Sequence, residues 1–249
     1  GQVLAATKAL TTHHDLSIGI EEALQGVFQP TARLSDHRTE IRPGSVELVG
    51  LSTTLATNAI VEGQGSPACL LLIGYDRDFI QNRELQDELV TRDVVYRDGG
   101  HTIDGEERIP LDEATAREAI LLRRDRVAAF AVSGYFGVRN PAHELRVKAL
   151  VEELTVDDRG LCMPVTCGHE LTTKLNALRR ATTAALNARL IATLRELILT
   201  VQAMLDRAGV KAPLMIVKGD GSLVRAEWAI KRPIETILSG PAASVVGAW

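Results

Sequence analysis

The sequence predicts an α/β fold: a mainly parallel mixed sheet with flanking helices. Three observations predict it. Short apolar runs recur along nearly the whole chain. Amphipathic segments of helical length separate them, the pattern of βαβ units. Polar or glycine-bearing turns follow several of the runs, where the chain would leave a strand.

Taken in order, the expected strands are Val46–Gly50, Ala68–Gly74, Val94–Tyr96, Val127–Ser133, Met163–Cys167 and Leu214–Lys218. The expected helices are Leu16–Phe28, Thr53–Glu62, Asp112–Arg124 and Pro141–Leu154. Asp112 stands before Glu113 as a cap. Asn140 stands before Pro141, with Glu144 in the first turn. His13-His14-Asp15 would likewise cap the first helix.

From Leu171 to Ala208, leucines, a threonine and a valine recur at three- and four-residue steps. That stripe predicts one helix of about nine turns, roughly 50 Å long at 1.5 Å per residue. Gly209 stops it and Pro213 follows. Tyr75–Pro110 is the least regular stretch, with Asp98-Gly99-Gly100 and Asp104-Gly105 as turns, and is expected to make excursions from the main sheet. At the other end, Pro241 opens a helix of small residues, whose bareness suits close approach of another backbone.

Composition excludes several classes. The chain has 249 residues, 24% of them charged and 45% hydrophobic, with a net charge of −4. No lysine- or arginine-rich run points to nucleic acid, and no apolar run is long enough for a membrane span. No leader is visible at Gly1-Gln2-Val3-Leu4, and the missing initiator methionine suggests that the true start lies further upstream. Cys69, Cys162 and Cys167 are an odd set without CxxC spacing, which fits free thiols in a cytoplasmic protein. Cys69, in an apolar run, reads most simply as a buried small hydrophobe, and Cys167, with His169 two residues on, is a minor candidate nucleophile. His13, His14, His37, His101, His143 and His169 show no i, i+4 pair, and no metal is assigned to them. His143-Glu144 looks like a helix start and His169-Glu170 like a loop.

Three segments carry candidate chemistry. Ser52-Thr53-Thr54 ends a strand and opens a helix, so its hydroxyls and free N–H groups suit an anion or substrate, or simply cap the helix. Asn58, one turn on, either faces the same cleft or solvent. Gly219-Asp220-Gly221-Ser222 follows a strand directly, where open α/β sheets collect functional residues. Asp220 there can orient a water, hold magnesium or act as a base, or merely bond its own turn. Asn187, amid the small residues of the long helix, is an unfavourable helix-interior choice, and a solvated side chain is the simpler reading.

In this order, Ser52–Ala59, Asn140-Pro141-Ala142-His143-Glu144, Ala181–Ala188, Lys218–Leu223 and Ser239-Gly240-Pro241-Ala242 resemble the hydantoinase/oxoprolinase family, as does the opening Lys8–Thr12. The resemblance spans essentially the whole chain. It implies one lobe, residues 1–249, of the actin-like, sugar-kinase-like ATPase fold. The family's N-terminal region would cover about 1–170, and the long helix with the start of the hydantoinase A-like region about 171–249. It implies ATP and Mg2+ as cofactors, a hydantoin- or 5-oxoproline-like cyclic amide as substrate and a hydantoinase B-like partner subunit. A ketone carboxylase subunit or a non-catalytic actin-like module are the alternatives. Asp220 would be the catalytic residue. Ser52, Thr53, Thr54, Asn58, Asn187, Gly219, Gly221 and Ser222 would line the cleft, and Ser239, Gly240 and Pro241 would form an interlobe turn. The two phosphate loops would precede Gln2 and follow Trp249, so these residues alone should bind ATP weakly. Ser52 and Ser222 stand where the family usually has glycine.

Overall fold

A computed structural model describes residues 3–10, 16–29, 41–63, 65–77 and 89–247. His13, His14 and His37, and the caps proposed on the first two, lie outside these residues. The elements in chain order are α1 (Leu16–Phe28), β1 (Val49–Leu51), α2 (Leu55–Val61), β2 (Ala68–Ile73), β3 (Val94–Arg97), α3 (Glu113–Leu121), β4 (Ala129–Gly134), α4 (Ala142–Leu154), β5 (Val165–Cys167), α5 (Gly168–Leu171), α6 (Ala177–Arg207), β6 (Leu214–Val217), β7 (Leu223–Arg225), α7 (Ala226–Lys231) and α8 (Ser239–Gly247). Each expected strand and helix has a counterpart. The short strand β7 and the short helices α5 and α7 were not foreseen.

The chain divides into two compact units. The first comprises Gly1–Thr53, Leu194–Ile230 and Leu238–Trp249, and the second Thr54–Thr193 and Lys231–Ile237. Each unit has its own sheet.

In the second unit, four parallel strands run in the order β3-β2-β4-β5. All residues of β2 and β4 are buried, which explains why their sequences are continuous apolar runs rather than alternating ones. Successive side chains point to opposite faces. Cys69, Leu71, Ile73, Phe130 and Val132 pack on one face with Ala116, Ala119 and Ile120 of α3 and Val147, Leu150 and Val151 of α4. Ala68, Leu70, Leu72, Ala129 and Ala131 pack on the other with Ala181, Ala184, Ala185 and Ala188 of α6. An alanine stripe lets that helix approach the sheet closely. Each fully buried leucine here stabilises the fold by about 1.5–3 kcal/mol.

Asp112 caps α3 as expected, accepting from the Thr115 N–H at 3.1 Å. Asn140 acts one residue early: its Oδ1 accepts from the Ala142 N–H at 3.0 Å, and Pro141 occupies the cap position. Gly74 ends β2 with φ +72°, and a Cβ there would lie 2.5 Å from the Gly99 carbonyl oxygen. The backbone excursion after β3 can therefore close on the strand end only at a glycine.

In the first unit, β1 pairs parallel with β6, and β6 pairs antiparallel with β7. Ile198, Val201, Met204 and Leu205 of α6 are buried, as are Leu214 and Ile216 of β6. Gly209, at φ +75°, ends the helix with the Val210 N–H bonded to Leu205 O at 2.9 Å, the stop its sequence announced. The helix begins later than its leucine stripe suggested. Residues 172–176 interrupt it, because Asn176 Oδ1 accepts from the Arg179 N–H at 3.0 Å and caps a new start.

Candidate functional site

The carboxyl ends of β1 and β6 lie side by side, since Leu51 pairs with Ile216. In the first unit this sheet edge brings together Ser52-Thr53, the Lys218–Ser222 turn and the start of α8, which packs on β6. It is the place where open α/β sheets present functional groups.

Ser239 fixes that arrangement. Its side chain is fully buried, and its hydroxyl donates to Thr53 O at 2.9 Å while accepting from the Thr53 N–H at 3.3 Å and from Ser52 Oγ at 3.5 Å. Leu238 just before it sits at φ +61°, a left-handed conformation costly for a branched side chain. Its carbonyl accepts the Ala242 N–H at 3.2 Å and so starts the helix. Gly240 and Pro241 thus lie in the first turn of α8.

Asp220 is exposed. Its Oδ1 accepts from Ser222 Oγ at 2.6 Å and from the Ser222 N–H at 2.9 Å, and its Oδ2 meets Lys218 Nζ at 3.3 Å. Gly221, at φ +83°, makes the turn possible. The Ser222 hydroxyl and N–H hold the carboxyl down to about 2, with Lys218 adding to the effect. A group so acidic is a poor proton acceptor near neutrality. The geometry therefore offers a fixed negative charge rather than a base. Ser222, standing where a glycine was expected, supplies both strongest bonds.

The other expected residues belong to the second unit. Thr54 is the cap residue of α2, without a side-chain cap bond, so the capping role expected of Ser52 or Thr53 falls on neither. Asn58 is exposed and donates to Thr54 Oγ1 at 3.4 Å. Asn187 is fully buried, not solvated. Its Nδ2 donates to Thr166 Oγ1 and to Lys231 O, both at 3.0 Å, and its Oδ1 accepts from the Ile234 N–H at 3.1 Å. It ties β5 and the 233–236 turn to α6 and faces no open cleft.

A polar cluster that the sequence did not announce closes the carboxyl ends of β2, β4 and β5. Glu144, fully buried, accepts from the Gly134 N–H at 2.7 Å through Oε1. Through Oε2 it accepts from the His169 N–H at 3.0 Å and meets His169 Nδ1 at 2.5 Å. Arg180, buried beside it, donates to Gly134 O at 2.8 Å and Lys174 O at 3.1 Å. Tyr75 Oη bonds Ser133 Oγ at 2.8 Å and donates to Ala177 O at 2.9 Å. Burial pushes its phenol up to about 12. His169-Glu170 is helical, not a loop, because the Glu170 carboxylate folds back onto the Cys167 N–H at 3.2 Å. Cys167 is fully buried, which removes the access a nucleophilic thiol needs. The only sequence signal for this cluster was a pair of His-Glu steps.

No described helix is long and apolar enough to cross a membrane. The hydantoinase/oxoprolinase N-terminal region matches residues 1–155, and the hydantoinase/oxoprolinase domain itself matches residues 180–249. Among characterised relatives, the caprolactamase subunit alpha of Pseudomonas jessenii is 30% identical over 95% of this chain and 35% of its own length. The acetophenone carboxylase gamma subunit of Aromatoleum aromaticum is 27% identical over 97% of this chain, again covering 35% of the relative. The acetone carboxylase beta subunit of Xanthobacter autotrophicus is 29% identical over 64% of this chain and 22% of the relative. The chain thus spans about a third of the length of the first two of these relatives. The crystal structure of the ATP-dependent caprolactamase from P. jessenii superposes with a TM-score of 0.75 at 28% identity, covering 95% of this chain and 35% of that one. A nucleotide-free acetone carboxylase structure superposes at 0.73, covering 96% of this chain and 36% of that one, at 19% identity. The expected fold class, α/β with a mainly parallel sheet as in actin-like ATPases, is what these neighbours have.

Proposed function

This chain belongs to the hydantoinase/oxoprolinase family, and from that premise we propose that it is part of an ATP-dependent amidohydrolase opening hydantoin- or 5-oxoproline-like cyclic amides. The observation that carries the reading is the likeness to a caprolactamase alpha subunit over 95% of the chain. Caprolactam is itself a cyclic amide, and amide resonance makes such a carbonyl resist water. Bound ATP would supply a phosphoryl group to the amide oxygen, turning the carbonyl carbon into an electrophile.

The first unit's sheet edge fits the rim of a magnesium-nucleotide site. Magnesium held by phosphates takes only one or two carboxylates from protein, and Asp220 offers one, ionised at neutral pH. Its role there is to hold negative charge and to position the Lys218 ammonium. Ser239 holds the Ser52-Thr53 backbone rigid, so the Ser52 and Thr53 side chains are presented with little freedom. Gly219 and Gly221 leave the approach to Asp220 free of side chains. The pre-organised edge lowers the entropy cost of binding. Thr54, Asn58 and Asn187 are not assigned a catalytic step. Asn187 is a structural brace.

A subunit of an ATP-dependent ketone carboxylase is the second reading, favoured by the likeness to acetophenone and acetone carboxylase subunits. A second subunit is part of either reading, since these relatives are themselves named as subunits. The test is ATP turnover by the whole protein against caprolactam, hydantoins, 5-oxoproline and ketones, with and without bicarbonate. Turnover stimulated by a cyclic amide, with the ring-opened acid as product, is expected. Stimulation by ketones alone, with bicarbonate carbon incorporated, would replace the first reading by the second.

A further inference from the structure

We propose that Glu144, Cys167 and His169 form a binding site for one divalent transition-metal ion of the zinc class. Among the described residues, a carboxylate oxygen, a thiol sulfur and an imidazole nitrogen of these three all lie within 4.8 Å of one another. A zinc ion reaches sulfur at about 2.3 Å and nitrogen or oxygen at about 2.0–2.2 Å, so one ion at their centre can touch all three after small side-chain shifts. The donor set, one sulfur, one nitrogen and one oxygen, is borderline-soft, which favours zinc-like ions over magnesium or calcium.

The scaffold is rigid. Glu144 comes from the first turn of α4, Cys167 from the end of β5 and His169 from α5. The Gly134 N–H on Glu144 Oε1 and the His169 N–H on Oε2 fix the carboxylate, and Oε2 also meets the imidazole. Such outer hydrogen bonds are what orient ligands in metal sites. Cys167 Sγ lies only 3.6 Å from the Glu144 backbone oxygen, a weak contact that costs little to give up.

With the thiol proton released to solvent and the imidazole proton moved from Nδ1 to Nε2, the three ligands carry two negative charges against the two positive charges of the ion. The buried Arg180 guanidinium beside Glu144 is a further positive charge, held by the Gly134 and Lys174 carbonyls, and Lys148 is paired with Glu170 at 2.7 Å. Glu144 and Cys167 are fully buried, whereas the His169 side chain is 19% exposed. The ion would therefore enter past His169.

The test is titration of the tag-free 249-residue chain, stripped with a chelator, with Co2+ and then Zn2+. One equivalent of Co2+ should bind with a sulfur-to-cobalt charge-transfer band, and Zn2+ should displace it. Cys167→Ser should abolish the band and weaken binding at least tenfold. Cys162→Ser, changing the exposed thiol, should leave band and affinity unchanged. Should Cys167→Ser misfold, X-ray absorption of the zinc-loaded wild type decides: one sulfur beside nitrogen and oxygen ligands supports the site. Failure of the wild type to take up an ion, a band that survives Cys167→Ser or vanishes in Cys162→Ser, or an all-light-atom shell would overturn it.

Discussion

The two sheets present their carboxyl edges differently. That of the second unit is sealed by buried polar groups: Glu144, Arg180 and Ser133 have little or no exposure. That of the first unit is fringed by an exposed turn, Lys218–Ser222, above one buried hydroxyl, Ser239. A buried polar group must find partners or cost its desolvation, whereas an exposed one can always turn to water. A buried polar group therefore weighs on stability whatever else it binds, whereas an exposed one can serve a ligand at little cost to the fold.

Substitutions at the two edges should differ accordingly. Glu144→Ala strands the Gly134 and His169 N–H groups and leaves the neighbouring polar cluster without its carboxylate. It should cost about 3–5 kcal/mol, read from urea unfolding, the range for breaking a buried charged network. A loss no larger than that of a surface substitution would show that the edge is wetter than described. Asn187→Leu removes three hydrogen bonds and should cost about 2–3 kcal/mol, with partners left unmatched at Thr166, Lys231 and Ile234.

Within the first unit, Ser239→Ala removes the hydroxyl that holds both backbone groups of Thr53. It should cost about 1 kcal/mol by the same unfolding assay and, in the whole protein, lower ATP turnover through a looser edge. Asp220→Asn should leave unfolding unchanged within error while abolishing amide-stimulated turnover. That split between stability and activity would be absent if the turn were merely structural.

The smallest effect is a titration. The Asp220 carboxyl should titrate by NMR near 2, and Ser222→Ala should move its midpoint up toward the ordinary carboxylate value. Because the folded value lies below the unfolded one, any stability it lends is present above the unfolded value and fades as pH falls toward about 2. A midpoint unaffected by Ser222→Ala would remove Ser222 as its cause.

Much of this molecule was legible in its sequence, and the rest was not, for definite reasons. The apolar runs of β2 and β4 declared buried parallel strands, because a strand covered on both faces has no polar side to show. Asp112 and Gly209 declared a helix start and a helix end, because caps and stops act within a few residues of themselves. The order of the motifs declared the family. The sequence could not show that the strands divide between two sheets, since register depends on partners far along the chain. It offered Asn187 as a solvated side chain, and only packing against Thr166 and the 233–236 turn made it a buried brace. Glu144 and His169 lie 25 residues apart in the chain and meet at 2.5 Å. Burial and long-range contact are properties of the folded chain, so these roles were decided by the tertiary structure alone.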